Sequence, residues 1–243
     1  MKSPLLSLCS LLAAVSTLAS HTVTAAENGD AQYSRLLFSD DFSSNAFGPR
    51  WGHYKSASVV KDGVLVGITP ENSDHSAVDN IRFEGERDLE VSVKFRFASD
   101  KAKSFNLWFD DKDYKGSHAG HICSVSVSPT GVAISDAKTG GFKNDIYEKK
   151  KSPEGLPPEQ KAFLETKTKR ASVSVSLQDW HTFIARTKGD SVEVSIDGKS
   201  VASFQSEGIG HESKSLVSLT TNQVDVHYDD FSLKAAGPAR VKP

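Results

Sequence analysis

A period of two in apolar and polar residues runs through most of this chain and limits what it can fold into. Leu89, Val91, Val93, Phe95 and Phe97 alternate with Glu90, Ser92, Lys94 and Arg96. Phe105, Leu107 and Phe109 alternate with Asn106, Trp108 and Asp110, and Cys123, Val125 and Val127 with serines. The same holds for Val173, Val175 and Leu177. Successive strand residues point to opposite faces, so each run reads as a strand buried on one side. Val192–Ile196, Leu216–Thr220 and Val224–Leu233 read as further strands, and Asp197-Gly198 as a tight hairpin turn. Strands parted by Gly, Asn, Asp and Pro turns predict an all-β fold, an antiparallel two-sheet sandwich rather than βαβ units.

One stretch breaks the pattern. Residues 143–170 are charged and proline-punctuated, and Pro157-Pro158 is expected to open a short helix ending near Lys167. Lys149–Lys151 there reads as a solvated face. The sequence shows no internal repeat, and the remaining length suits one β domain over residues 36–235. Residues 27–35 are then a linker and 236–243 a tail.

The first 26 residues carry one lysine, an apolar run from Leu5 to Ala19 and small residues at Thr24, Ala25 and Ala26. They read as a signal peptide, so the protein is expected to be exported to a periplasmic or extracellular location. Its removal takes Lys2 and no acid, leaving 28 basic residues against 31 acidic. That balance argues against a nucleic-acid partner. No segment is apolar enough to be a transmembrane span. With Cys9 in the signal, Cys123 is the one remaining thiol and no internal disulfide can form. A monomer is expected.

LLFSDDFSSNAFGPRWGHY, VVKDGVLVG, a strand ending in FRF, and VHYDDFSLK together resemble the concanavalin A-like lectin/glucanase sandwich, or jelly roll. HAGHICSVSVSPTGVAISDAKTG, DWHTFIARTKGDSVEVSIDGKSVASF and SEGIGHESKS resemble secreted bacterial proteins of the 3-keto-disaccharide hydrolase family. The chain departs from that family's pattern at Ser104–Leu107 and at Trp180-His181. The resemblance implies a carbohydrate partner, bound on the concave sheet. It leaves three readings: a glycoside hydrolase of the 3-keto-disaccharide type, a non-catalytic lectin-like module, or a cell-envelope adhesion protein.

Glu86, Asp88 and Glu90 repeat the E-x-D-x-E spacing on which family 16 glucanases carry their nucleophile and acid/base. In that family's strand order, however, the catalytic place falls on GHICSVSVS, which has no carboxylate. Glu86 and Asp88 are therefore expected to be expendable charges of a loop entering the strand, and a family 16 retaining mechanism is not expected.

Binding is expected instead on the outward face that carries Asn106, Trp108 and Asp110, with a sugar ring stacked on the indole. The 143–170 insertion is the bland alternative, a cover for Trp108. Lys94 and Arg96, outward on their own strand, are expected to line the same cleft. His118 and His121 are candidate catalytic bases beside Asp110, and His211 is a candidate binding group. Trp51 and Trp180, each at a strand entrance, are expected in the core. The family 16 resemblance also implies a structural calcium ion between Asp41 and Asp230, with the Gly63 carbonyl as a further ligand. Turn capping by the two acids is the alternative.

Overall fold

A computed structural model describes residues 32–222 and 226–237. The residues read as a signal peptide, and most of those read as a linker, lie outside this range. The described residues form a sandwich of two antiparallel sheets, as the alternation predicts, with two short helices. No helix among the described residues is long and apolar enough to cross a membrane.

The strands are β1 (Arg35–Asp40), β2 (Trp51–Tyr54), β3 (Val59–Lys61), β4 (Val64–Gly67) and β5 (Ala77–Glu86). Then come β6 (Leu89–Phe97), β7 (Ser104–Asp110), β8 (His121–Ser128) and β9 (Gly131–Asp136). Helices α1 (Asn144–Lys151) and α2 (Pro158–Thr166) precede β10 (Thr168–Ser172) and β11 (His181–Lys188). Strands β12 (Ser191–Ile196), β13 (Lys199–Gln205), β14 (Lys214–Asn222) and β15 (Val226–Ala235) complete the fold.

The seven-stranded sheet has the order β10-β9-β8-β7-β14-β5-β2. The eight-stranded sheet has the order β13-β12-β11-β6-β15-β4-β3, with β1 also on β15. The first and last strands are thus neighbours. The inward residues of β6 and β7 meet between the sheets and are fully buried: Phe95 and Phe105 lie 5.0 Å apart, and Phe105 meets Phe183 edge-on at 5.6 Å. Each such ring contributes on the order of 2 kcal/mol through burial alone. Cys123 faces this core, and burial pushes its thiol up to about 12.

Local chemistry explains the turns. Asp197 and Gly198 both take positive φ, as a two-residue hairpin joining β12 to β13 demands. Pro158 opens α2 and Lys167 caps it, as the proline punctuation predicts. Helix α1 was not legible, because its only buried residue is Ile146 and it has no apolar stripe. Residues 168–170 belong to β10 rather than to an insertion, and the segment containing Val173, Val175 and Leu177 is not a strand. Val175 is buried there while Leu177 is exposed. The alternation there reflects Val173 and Val175 packing on the core from an irregular segment rather than from a strand.

Trp51 lies in the core, ringed by Phe38, Phe42, Phe47 and Phe231. Trp180 does not. It stands 38% exposed in the loop before β11, with the Arg96 guanidinium 4.8 Å over its ring. A cation on the indole face replaces the core contacts expected there.

Candidate functional site

The outer face of the seven-stranded sheet carries a cleft of about 870 Å³. Its floor is built in rows across β7, β14 and β5. Trp108 sits opposite Ser218, which sits opposite Asn80, and Asn106 continues through Thr220 to Val78. The third row runs from Asp110 through Leu216 to Arg82. Gly52 extends the middle row onto β2, where a Cβ would lie 2.7 Å from Asn80 Oδ1. The second wall comes from Tyr54 and His75, whose rings meet edge-on at 5.3 Å.

Histidine and acid meet through a backbone irregularity. In strict alternation with Cys123, residue 121 would face the core. The β7–β8 register shifts between Phe109 and Asp110, so Ile122 and Cys123 are both buried and His121 turns outward opposite Asp110. A bulge re-aims a side chain in this way, and such bulges are common beside functional sites. His121 Nδ1 and Asp110 Oδ1 are 2.7 Å apart. Asp110 is 2% exposed, and burial pushes its carboxyl above the ordinary range although the His121 bond opposes the rise. The bond to Asp110 occupies Nδ1 and leaves Nε2 as the imidazole's other polar atom.

The turn before β8 fixes the remaining pieces. Ala119 and Gly120 have φ of 55° and 77°, and a Cβ on Gly120 would come 2.0 Å from the Asp111 carbonyl oxygen. Glycine is required at that position. His118 N–H donates to the Phe142 carbonyl at 2.8 Å, which brings Phe142 edge-on to Trp108 with ring centres 5.1 Å apart. His118 stacks on Tyr147 of α1 at 3.9 Å, and burial together with neighbouring positive charge holds its pKa below the ordinary value. His121 packs on the indole of Trp108 at 4.3 Å. The cover expected from residues 143–170 is thus a wall: Phe142, just ahead of that segment, touches Trp108, and α1 braces His118.

The other candidates separate. Lys94 and Arg96 lie on the outer face of the opposite sheet and do not line the cleft, because β6 pairs with β15 and β11 rather than with β7. Lys94 Nζ is 2.6 Å from Asp230 Oδ2, and Arg96 bonds His227 Nδ1 at 2.8 Å. His211 lies outside the cleft lining, 2.9 Å from Asp111 Oδ2 and 3.1 Å from Lys138 Nζ.

Asp41 accepts bonds from the Ser43 amide and hydroxyl, the Asx-turn pattern, and these hold its carboxyl below the ordinary range. Asp41 and Asp230 border one shallow depression. Gly63 donates its N–H to Asn45 Oδ1. No group of three or more His, Cys, Asp or Glu suited to a metal occurs among the described residues.

None of Glu86, Asp88 and Glu90 lines the cleft. The expectation that Glu86 and Asp88 are expendable is corrected in one respect. Glu86 ends β5, is buried, and pairs with Arg35 at 2.7 Å, while Asp88 accepts the Gly189 N–H at 2.8 Å. They hold the fold together at the β5–β6 turn.

Sequence reasoning missed Asn80, Arg82, Lys112, Tyr54 and Phe142. For the first two a signal existed, since Val78, Asn80 and Arg82 alternate with Ala77, Asp79 and Ile81. Phe142 lies in a loop and had none.

No family model matches the chain, and no curated protein matches it. Solved structures with a similar fold include SCLam, a non-specific endo-β-1,3(4)-glucanase from family GH16. It superposes with a TM-score of 0.57 at 12% identity, over 84% of this chain and 91% of that one. The carbohydrate-binding module CBM66 from Bacillus subtilis superposes at 0.53 and 11% identity, over 76% of this chain and 96% of the module. A sialidase superposes at 0.56 and 11% identity, but the chain spans only 19% of its length. At these identities the likeness establishes a concanavalin A-like sandwich and nothing finer.

Proposed function

We propose that this is an exported carbohydrate-active protein that binds a glycan in the cleft of the seven-stranded sheet. Trp108 carries the reading. It is an indole on the outer face of a sheet, walled on one side by Phe142 and His121 and sharing the cleft floor with Asn106 and Asn80. A pyranose ring offers an apolar C–H face to such a surface, while the amides meet its hydroxyls. The glucanase and carbohydrate-binding module that share the fold support the same reading. Screening on a glycan array followed by calorimetry tests it. Binding that survives Trp108→Ala at full strength would overturn it.

The His121–Asp110 pair favours a second reading, hydrolysis of 3-keto-glycosides. A ketone at C3 acidifies the C2–H, and in this reading His121 Nε2 accepts that proton. The C2–H electron pair forms the C1=C2 double bond as the C1–O bond breaks, and the leaving oxygen takes a proton. Water then adds across the double bond. His121→Gln should lower 3-keto-sugar release by about 10²- to 10⁴-fold, the usual worth of a general base. Release unchanged in that variant would leave binding as the whole function.

A further inference from the structure

Resting on the glycan reading, we infer that the bound glycan is anionic, with a carboxylate or sulfate seated at the end of the cleft where Arg82 and Lys112 stand. Two carboxylates line this cleft, and each has a partner. Asp74 pairs with Lys55, and Asp110 with His121. Arg82, exposed on β5, forms no ion pair among the described residues. The Lys112 ammonium donates to the Ala119 carbonyl at 3.4 Å, and its charge also acts on Asp110.

Both cations belong to one end of the site. Arg82 lies in the row of Leu216 and Asp110, and Lys112 follows Asp110 by two residues. That row is one step from the row of Trp108, Ser218 and Asn80, about 7 Å along a strand. An acidic substituent on a sugar stacked at Trp108, or on its neighbour in the chain, comes within reach of the guanidinium.

The pair of cations is local. The whole chain is slightly acidic, with 31 Asp and Glu against 29 Lys and Arg. An unpaired cation costs little in water, so exposure alone would explain a scattered lysine or arginine. Two at one end of a cleft, with Asp74 paired to Lys55 and Asp110 buried and bonded to His121, is a different arrangement, one that focuses field on an anion. A planar guanidinium also matches two oxygens of a carboxylate or sulfate at once, which hydroxyls do not require.

Calorimetry with polygalacturonate, alginate and hyaluronan, each beside its carboxyl-reduced form, tests the carboxylate source. Chondroitin sulfate beside its desulfated form tests the sulfate source. One acidic polymer should bind at least about tenfold tighter than its neutral counterpart, and Arg82→Gln should abolish that preference, as expected for a charge-assisted bond. Lys112→Gln should reduce the preference, and added salt should weaken acidic binding alone. Trp108→Ala should weaken both forms. Equal affinity for acidic and neutral forms, with Arg82→Gln silent, would overturn the anionic assignment and leave the glycan reading standing. Failure of every polymer, acidic and neutral, to bind would overturn both.

Discussion

The two outer faces of the sandwich are built from the same alternation and do opposite things with it. On the eight-stranded sheet, charges facing outward from β6 close on their neighbours. Glu90 is 2% exposed between Arg186 at 2.6 Å and Lys234 at 3.3 Å. Lys94 meets Asp230, and Arg96 meets both His227 and the face of Trp180. On the seven-stranded sheet, the equivalent positions hold an indole, two amides and the cations Arg82 and Lys112, and the walls stand back to leave a cleft. One face spends its polar groups on the protein itself. The other pairs Asp110 with His121 but leaves Arg82 and the two amides to the cleft, which is why an outward residue is informative only once its cross-strand partner is known.

The sharpest way to break this contrast is to remove Glu90. Glu90→Gln strips the charge from a buried carboxylate that holds two cations, and should cost about 2–3 kcal/mol of stability. Glycan affinity should not move. Urea unfolding beside calorimetry decides the matter, and a loss of affinity without a loss of stability would make the outer face of β6 part of the site.

Trp108→Ala should do the reverse on the other face. Affinity should fall by more than about 1 kcal/mol, as for an aromatic anchor. A melting temperature that collapses while affinity per folded molecule is kept would show that Trp108 is packing for Phe142 and His121.

Asp110 sharpens the comparison through pH. Its folded-state pKa lies above the unfolded value, so the folded state binds the proton more tightly. The resulting stabilisation is full below the ordinary Asp value of about 3.9 and is lost as pH rises through the raised value. Asp110→Asn cannot titrate, so the variant should gain stability relative to the parent as pH rises from about 4 toward neutrality. A constant difference across that range would mean that the carboxylate is as well solvated folded as unfolded.

The smallest effect expected concerns Asp41 and Asp230. With Asp41 bonded to Ser43 and Asp230 to Lys94, a chelator should leave the melting temperature in place. A drop that Asp230→Asn abolishes would establish the calcium ion that the family resemblance implies.

Period-two patterning was sufficient for the β-sandwich, the Asp197-Gly198 hairpin, the buried sides of β6, β7 and β8, and the outward set of Asn106 and Trp108. These follow from local geometry, since a strand with one apolar side has one way to bury it. Strand β1, which leads to Asp41, pairs with β15, which carries Asp230, as the calcium site implied by the resemblance requires. Alternation has no information on which two strands pair, so Lys94 and Arg96 read as neighbours of Trp108 until the pairing of β6 with β15 put them on the other sheet. Nor does it show an added residue: one bulge at Ile122 turns His121 from the core toward Asp110. Phe142 meets Trp108, and Arg82 and Lys112 share its cleft, across separations set by pairing and loop docking. Which face became a cleft was decided there, by where charges found partners across strands far apart in sequence.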